Sequence, residues 1–366
     1  MGMVHKLHAY TVALNLSVAD NSLLLEVAAT ALGTIEFVLG VYLLLGFRRK
    51  FTTRTITLFM LAFTLVTAWI YATDPVPDCG CFGEAIKLTN GQTFAKNIVL
   101  LLASVVLLMR PFSGLRLISE RNAWILSIYS WCYAIGLALY TLHYLPIIDF
   151  SGYVRGANIK QAVMGEADEA TTEKLANFCL INAQTGYDVT LDVLNHKGYT
   201  FLLTIPSTIT ADDGCCDRIN DLYDFCLDHH VPFYMVTSST GKDLDKWIDE
   251  TGAAYPTLLA EDTELSTMVR SNPGLMLLNN GIVEGKWSNN NLPEINDDTS
   301  SVKQLIGNTS HNNPTTTLLL WFVVPFIIIV LLDSLWTGHQ FYKQHIYVKR
   351  FKLKKIMRKK IVAGNW

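Results

Sequence analysis

The sequence lacks the cysteine and histidine spacings that are typical of metal sites. Four of its seven cysteines fall into two tight pairs, Cys79/Cys81 and Cys215/Cys216. Neither pair has the spacing of a standard zinc site. The nine histidines, including the adjacent His229 and His230, form no ligand cluster along the chain. We therefore expect no metal, and the paired cysteines become candidates for thiol chemistry.

Hydrophobic residues make up half of the 366 residues, and they are bunched rather than spread periodically. Apolar runs of about 20 residues are typical of membrane-spanning helices. The third run reaches that length only if residues 92–96 belong to it. The pattern predicts five spans, at 23–47, 56–72, 97–109, 124–145 and 315–332, with Pro325 as a kink in the last.

Basic residues mark one side of the membrane. They lie between spans one and two, between spans three and four, and after span five: Arg48, Arg49, Lys50, Arg54, Arg110, Arg116, Arg121 and the tail 349–360. Five spans put all three groups on one side, and the positive-inside rule makes that side the cytoplasm. This explains the basic tail without a nucleic-acid partner. The stretch 73–92, which holds Cys79 and Cys81, and the stretch 146–313 therefore face outward.

The first residues pose a problem for this orientation. Residues 1–22 lack the continuous apolar run of a signal peptide, yet the topology places Met1 outside. Either the short N-terminus is translocated unaided, or a further helix precedes it. The predicted domains are an outer amphipathic segment (1–22), a four-span membrane domain (23–145), an outer domain (146–313), a fifth span (314–333) and a cytoplasmic tail (334–366).

Glu36 is a carboxylate within the first span. Intramembrane carboxylates usually face the interior of the helix bundle and are often functional. The alternative is an interfacial carboxylate on a tilted helix. The sequence leaves both interpretations open.

The outer domain shows alternating strand and helix signals after a polar, irregular start at 151–177. A hairpin is expected at 178–194, around Thr185-Gly186. Asp212 or Asp213 would cap the first long helix. Asn280-Gly281 is a type I′ turn signal between the last two strands. The elements expected after the hairpin are strand 199–205, helix 216–229, strand 232–237, helix 243–252 and strands 274–278 and 282–287.

This order resembles the thioredoxin pattern, in which redox cysteines lie between the first core strand and the next helix. Cys215 and Cys216 occupy that place, and Pro273 matches the proline, usually cis, that precedes the final hairpin and faces the cysteines. The departure is a vicinal pair in place of C-x-x-C. A disulfide between adjacent residues closes a small, strained ring, which makes it more reducible. The dipole at the helix N-terminus would lower a thiol pKa.

The segment 78–97 (DCGCFGEAIKLTNGQTFAKN), followed by a span, resembles the DoxX/MauE-like family of bacterial membrane proteins. Further stretches, such as 270–278 (RSNPGLMLL), resemble a subgroup with a C-terminal periplasmic thioredoxin-like domain. The resemblance implies a preceding first helix that this chain lacks. It also implies a membrane all-α helical bundle, an α/β thioredoxin-like soluble domain and a C-terminal transmembrane helix. For MauE-like members it implies disulfide handling during maturation of exported proteins.

Two functions fit these observations. In the first, Cys79 and Cys81 exchange electrons with Cys215 and Cys216, and the protein is a thiol–disulfide oxidoreductase for exported proteins. In the second, Cys79–Cys81 locks a loop, the outer domain only binds, and the protein is a non-enzymatic subunit of an envelope export or maturation complex. The expected location is the bacterial inner membrane, with the outer domain in the periplasm. No quinone site is marked in the sequence, although such a bundle could hold a quinone.

Overall fold

The computed structural model describes residues 7, 10–12, 22–74, 88–109, 119, 121–295, 300–306 and 314–362. The segment 75–87, which carries Cys79 and Cys81, lies outside these residues. The helices are α1 (Ser22–Leu45), α2 (Arg49–Thr73), α3 (Asn90–Met109), α4 (Ala123–His143), α5 (Ile159–Val163), α6 (Glu169–Lys174), α7 (Thr190–Leu194), α8 (Cys216–Asp228), α9 (Lys242–Thr251), α10 (Asp262–Met268), α11 (Val302–Ile306) and α12 (Pro314–Val362). The strands are β1 (Ile181–Asn182), β2 (Tyr199–Ile205), β3 (Phe233–Thr237), β4 (Thr257–Leu259), β5 (Gly274–Asn279) and β6 (Ile282–Ser288).

The chain forms two compact units, one of which contains 27–77, 89–136 and 315–366, and the other mainly 137–314. Within the described residues, five helices are long and apolar enough to cross a membrane: α1, α2, α3, α4 and the 315–343 part of α12. The prediction of five membrane-spanning helices is confirmed in helix number, length and composition for the described residues.

Two of these helices are longer than the hydropathy pattern predicts. α2 begins at Arg49 rather than at residue 56, and α12 continues through the basic tail to Val362. Hydropathy detects only the part of a helix that suits the lipid. Lysine and arginine are good helix formers, so the helix itself extends past that part. Near the start of α2 a threonine side chain also forms a hydrogen bond to the preceding helical turn: the Thr53 hydroxyl donates to the Arg49 carbonyl oxygen at 2.8 Å.

The unit that contains 27–77, 89–136 and 315–366 is called the membrane unit below. Polar side chains join α2 to α3 within it. Asn97 Nδ2 donates to Thr67 Oγ1 at 3.1 Å, and both residues are buried. Thr57 Oγ1 also reaches the Ser104 carbonyl oxygen at 3.2 Å. Without water, small polar residues that hydrogen-bond across helices are a main source of helix association. This contact fixes the two helices that flank the Cys79/Cys81 loop in sequence.

The last helix is also packed into the membrane unit. Tyr129 OH on α4 donates to the Trp321 carbonyl oxygen at 2.7 Å. Near the start of α4, the Asp333 carboxylate accepts from Ser119 N at 2.7 Å and from Asn122 Nδ2 at 2.6 Å. Asp333 therefore links α12 to the residues that directly precede α4. α12 is thus a structural partner of α4 and not an independent anchor.

The second unit is built on a six-stranded sheet in the order β1-β4-β3-β2-β5-β6. β2 pairs in parallel with β3, and β3 in parallel with β4. β5 pairs antiparallel with β2 and forms a hairpin with β6. The elements β2, α8, β3, α9, β5 and β6 follow one another along the chain in the predicted order, and the thioredoxin-like fold class is confirmed.

The central strands are apolar on both faces because each face carries a core. Phe201, Leu203 and Ile205 of β2 face a cluster that includes α8 and Trp247 of α9. Leu202, on the opposite face, joins a cluster that includes residues of α5, α7 and α10. Successive side chains of a strand point to opposite faces, so a continuous apolar run is what a sheet covered on both sides requires.

The turn prediction for the final hairpin is confirmed. Asn280 and Gly281 both have positive φ, at 52° and 79°, as a type I′ turn requires. At Gly281 a side chain would also meet the Leu194 carbonyl oxygen at 3.0 Å. Glycine therefore serves both the turn and the close approach of the chain.

The early part of this unit differs from the predictions. Residues 151–177 are not simply irregular: they contain α5 and α6, and Tyr153 and Ile159 are fully buried. The expected hairpin at 178–194 is reduced to β1, with an isolated bridge from Ile181 to Asp188, and then becomes α7. β1 pairs with β4 instead. The alternation of apolar and polar residues at 178–194 is too short to determine a strand by itself. Burial against the rest of the unit decides the structure of this segment instead.

Candidate functional site

The two adjacent cysteines, Cys215 and Cys216, lie between the end of β2 and the first turn of α8. A loop leaves the end of β2 and forms a 3-10 turn over Asp213–Cys215, and Cys216 is the first residue of α8. Asp212 caps the turn, because its Oδ1 accepts from Gly214 N at 3.0 Å. The prediction that Asp212 or Asp213 caps α8 is wrong, because Asp212 caps the preceding 3-10 turn and the N-cap residue of α8 is Cys215, whose side chain makes no capping bond. Both sulfurs are free thiols in this structure.

The loop before β5 lies against this turn. The Asn272–Pro273 peptide bond is cis, as the resemblance to thioredoxin implied. Asp212 N donates to the Asn272 carbonyl oxygen at 3.1 Å, and Asn272 Nδ2 donates to the Ser207 carbonyl oxygen at 2.8 Å. These bonds join the loop after β2 to the loop that carries Pro273. The structure thus brings together three of the predicted site residues: Cys215, Cys216 and Pro273.

The two thiols are shielded from solvent. Cys215 is 2% exposed and Cys216 is 9% exposed. Burial raises the pKa of Cys215 to about 12, assisted by Cys216 and Asp212. Burial also raises the pKa of Cys216 to about 11, assisted by Asp213, Asp217 and Asp212. At pH 7 only on the order of one Cys215 sulfur in 100,000 is then a thiolate.

The expectation that the helix N-terminus lowers a thiol pKa is therefore wrong in direction. The N-terminus of a helix such as α8 is equivalent to only about half a positive charge, so it stabilises a nearby thiolate weakly. Removal from water penalises the thiolate more strongly, and nearby carboxylates add to the penalty. The resting site holds two protonated thiols and no thiolate poised to attack.

Sequence reasoning missed Tyr255, which packs beside the cysteines in the α8 core. Its pKa is raised by burial and then by Cys216 and Cys215, and its hydroxyl donates a hydrogen bond to Asn220 Oδ1. Tyr255 lies just before β4, a three-residue strand that the sequence pattern does not reveal. An aromatic residue before a proline carries no signal that would place it there.

The remaining thiols of this unit lie apart from the pair. Cys226 on α8 is fully buried in the core, and burial raises its pKa to about 12. Cys179 is half-buried. Cys79 and Cys81 lie outside the described residues, so their role stays a prediction.

Comparison with solved structures returns thioredoxin-like proteins. The thioredoxin domain of a thiol-disulfide oxidoreductase from Bacteroides vulgatus is 16% identical, with 30% of this chain and 81% of that chain covered and a TM-score of 0.25. A candidate protein disulfide isomerase from Bacteroides thetaiotaomicron is 16% identical over 31% and 76%, at 0.26. An uncharacterised conserved protein from Geobacillus kaustophilus is 16% identical over 38% and 74%, at 0.23.

Structural similarities this distant support no conclusion about function. The fold assignment rests instead on the strand order and on the position of Pro273. Comparison with curated proteins found no match. The family comparison covers the other end of the chain. Residues 3–110, which include α1, α2, α3 and the stretch with Cys79 and Cys81, match the family of the methylamine utilisation protein MauE.

Proposed function

We propose that the protein is a membrane-bound thiol–disulfide oxidoreductase that acts on exported proteins. One observation carries the proposal: two adjacent free thiols, Cys215 and Cys216, lie at the start of α8 against the loop of Pro273. Perturbed thiols at the junction of two loops are more common at functional sites than elsewhere. The match of residues 3–110 to the MauE family supports a membrane role for the other half.

The exchange that we propose uses both cysteine pairs. One sulfur of the Cys215/Cys216 pair attacks a client disulfide, forms a mixed disulfide and releases one client thiol. The neighbouring sulfur then displaces the second client thiol, which leaves the pair oxidised and the client reduced by two electrons and two protons. Cys79 and Cys81 restore the pair by the same two steps and become oxidised in turn. The reverse sequence oxidises a client, and the potentials of the partners set the direction.

The location that we propose is the bacterial inner membrane, with both cysteine pairs on the periplasmic side. The basic residues between spans and in the tail support it through the positive-inside rule. The periplasm is also a compartment in which disulfides form and persist. Oxidation of protein thiols can therefore be maintained on that side.

For the carrier that exchanges electrons with Cys79 and Cys81 we propose a membrane quinone. Glu36 of α1 and Lys96 of α3 are charged groups within two spans of one unit, and the Lys96 charge acts on Glu36. Charged residues inside spans usually mark a functional path. An ammonium group can donate to a quinone carbonyl oxygen, and a carboxyl group can exchange a proton with it.

In proteoliposomes, we expect the reduced protein to convert one molecule of a short-chain quinone analogue to quinol for each disulfide formed. Lys96→Met should slow that reaction at least tenfold, which corresponds to about 1.4 kcal/mol. The ultraviolet absorbance of the quinone measures it, with Lys160→Met in the other unit as the control. Labelling of the remaining thiols measures disulfide formation separately. Equal rates of disulfide formation in the presence and absence of the quinone analogue would exclude this carrier.

The burial of Cys215 favours a second candidate function. A thiol that is 2% exposed and protonated at neutral pH is a slow nucleophile. The outer unit could then be a binding domain that has kept two small buried residues, and the protein would be an accessory subunit of an envelope complex. The packing of α12 against α4, which holds both ends of the outer unit, also suits a fixed scaffold.

Thiol trapping separates the two functions. Cells are quenched with acid and labelled with a mass-tagged alkylating reagent, in wild type and in Cys81→Ser and Cys215→Ser. An oxidoreductase should show mixed redox populations in the wild type. Cys215→Ser should accumulate a covalent client adduct on Cys216, and Cys81→Ser a mixed disulfide between Cys79 and the Cys215/Cys216 pair, because the neighbouring sulfur that would complete each exchange is missing. Cys132→Ser, a cysteine on the exposed surface of α4, is the matched control.

The scaffold predicts a different pattern. Cys79 and Cys81 would then be fully oxidised in every sample, no adduct would form, and the Cys79→Ser, Cys81→Ser double variant would behave as wild type. A partner that co-purifies in fixed stoichiometry with the Cys215→Ser protein would support the scaffold directly.

A further inference from the structure

Asp212 connects every segment of the cysteine site. Its backbone N donates to the Asn272 carbonyl oxygen at 3.1 Å, beside Pro273. Its Oδ1 accepts from Gly214 N at 3.0 Å, and its carbonyl oxygen accepts from Cys215 Sγ at 3.5 Å. Its Oδ2 accepts from Asn289 Nδ2 at 2.7 Å. One residue thus contacts the cysteine turn, the loop before β5 and the segment after β6.

The partner of the carboxylate is itself held in place. Asn289 N donates to Ser271 Oγ at 3.0 Å, and Arg218 Nη2 on α8 donates to the Asn289 carbonyl oxygen at 3.3 Å. Ser271 Oγ is in turn bonded to the Pro273 carbonyl oxygen at 2.6 Å. A donor fixed by its own neighbours directs a carboxylate better than a mobile surface donor does. The contact of Asp212 with Asn289 is therefore part of a network and not an isolated surface bond.

Several charged or titratable groups act on the two sulfurs. Asp212, Arg218 and the neighbouring sulfur act on Cys215, whereas Asp212, Asp213 and Asp217 act on Cys216. Tyr255, from the segment before β4, interacts with both sulfurs. Among the described residues, Asp212 is the one carboxylate that acts on both cysteines, and Arg218 is the one cation among these groups.

We propose that Asp212 is a positioning residue that ties the cysteine turn to the Pro273 loop and restrains the reactivity of both thiols in the resting protein. This deepens the proposed redox function, on which it rests for the role of the thiols. Release of the Asp212–Asn289 contact, for example when a client competes for the Asn289 amide, would loosen the turn and remove a negative charge from beside the sulfurs. The restraint then ends only when a client is present.

The test is the pH dependence of alkylation, measured on the full chain in lipid nanodiscs. Iodoacetamide labels the reduced protein between pH 7 and 11, and peptide fragmentation assigns the label to Cys215 or Cys216. The position of each rate profile on the pH axis reports ionisation of the sulfur, whereas hydrogen exchange of the Gly214 and Cys216 amides at neutral pH reports how often the turn opens. The two roles of Asp212, charge and contact, are therefore read separately.

Asp212→Asn keeps an oxygen for Gly214 N but removes the charge. We expect it to shift the rate profiles of both cysteines to lower pH and to raise both rates at pH 8 roughly three- to tenfold, since one pH unit is a factor of ten in thiolate. Asp217→Asn should shift Cys216 alone. Asp228→Asn, at the far end of α8, is the matched control and should leave both profiles unchanged.

Asp212→Ala removes the contact with Gly214 N as well, and hydrogen exchange of the Gly214 and Cys216 amides should also become faster. If that variant does not fold, Asp212→Asn still decides the matter. Profiles of Asp212→Asn that superimpose on those of Asp228→Asn, or that shift for Cys216 alone, would overturn the proposal. Alkylation needs no client and no turnover, so this result stands apart from the thiol-trapping outcome that tests the redox function.

Discussion

Replacing Gly274 by alanine is expected to lower the free energy of unfolding of the thioredoxin-like unit by about 1–3 kcal/mol. Gly274 follows Pro273 and pairs with Thr204 at the end of β2. A Cβ atom here would lie 2.5 Å from Val269 Cγ1, 2.7 Å from Val269 Cβ and 2.9 Å from Thr204 Oγ1. These atoms belong to a branched core side chain and to the adjacent strand. Since neither can rotate away freely, β5 must move.

The same displacement should reach the candidate site. Movement of β5 at Gly274 shifts Pro273 and with it Asn272, whose carbonyl oxygen accepts from Asp212 N. We therefore expect faster alkylation of Cys215 at high pH in Gly274→Ala. Hydrogen exchange of the β2 and β5 amides, measured on the full chain in detergent, gives the stability change.

Gly214→Ala is the matched control for this prediction. At Gly214 the nearest atom to a Cβ is the side-chain oxygen of Asp212, at 3.2 Å. A small shift of that side chain relieves the contact, so the stability change should stay within about 0.5 kcal/mol. Equal protection of the β2 amides in Gly274→Ala and in the wild type would show that the Val269 contact yields at little cost.

Replacing Phe201 by alanine is expected to cost about 3–5 kcal/mol, the largest single effect that we predict. Phe201 is fully buried at the centre of β2, where it pairs with Phe233 and Leu277 on the two neighbouring strands. Its ring lies 6.3 Å from the Phe233 ring in the cluster that also contains Cys216. Truncation leaves a cavity between the sheet and α8, and the hydrogen-bonded strands cannot move into it without loss of their pairing.

A loss of this size approaches the whole stability of a typical domain. The variant should therefore lose the hydrogen-exchange protection of all central strands and expose Cys216 and Cys226 to alkylation at neutral pH. Tyr187→Ala serves as the comparison, because Tyr187 is 75% exposed. Retention of full protection in Phe201→Ala would mean that the surrounding side chains of this core move in and fill the cavity.

The membrane helices and the central sheet follow from local signals. A run of about 20 apolar residues suits only a bilayer or a deep core, so hydropathy alone located the spans. Strand β2, helix α8 and the Asn280-Gly281 turn each carry their own period or backbone requirement within a few residues. The positions of Cys215, Cys216 and Pro273 at the junctions of these elements could be predicted for the same reason.

The state of the site could not be predicted in this way. The sequence determined the membrane helices, the central strands, the helices α8 and α9 and the place of the cysteines at the start of α8, whereas β4 and the short helices α5, α6 and α7 escaped prediction. Tertiary structure alone decided that Asn289 bonds to Asp212, that Tyr255 packs beside the thiols, and that burial raises the pKa of both sulfurs. Helix and strand signals depend on neighbours along the chain, whereas solvation and charge at a sulfur are summed over every group that surrounds it in space. Most of those groups are remote in sequence.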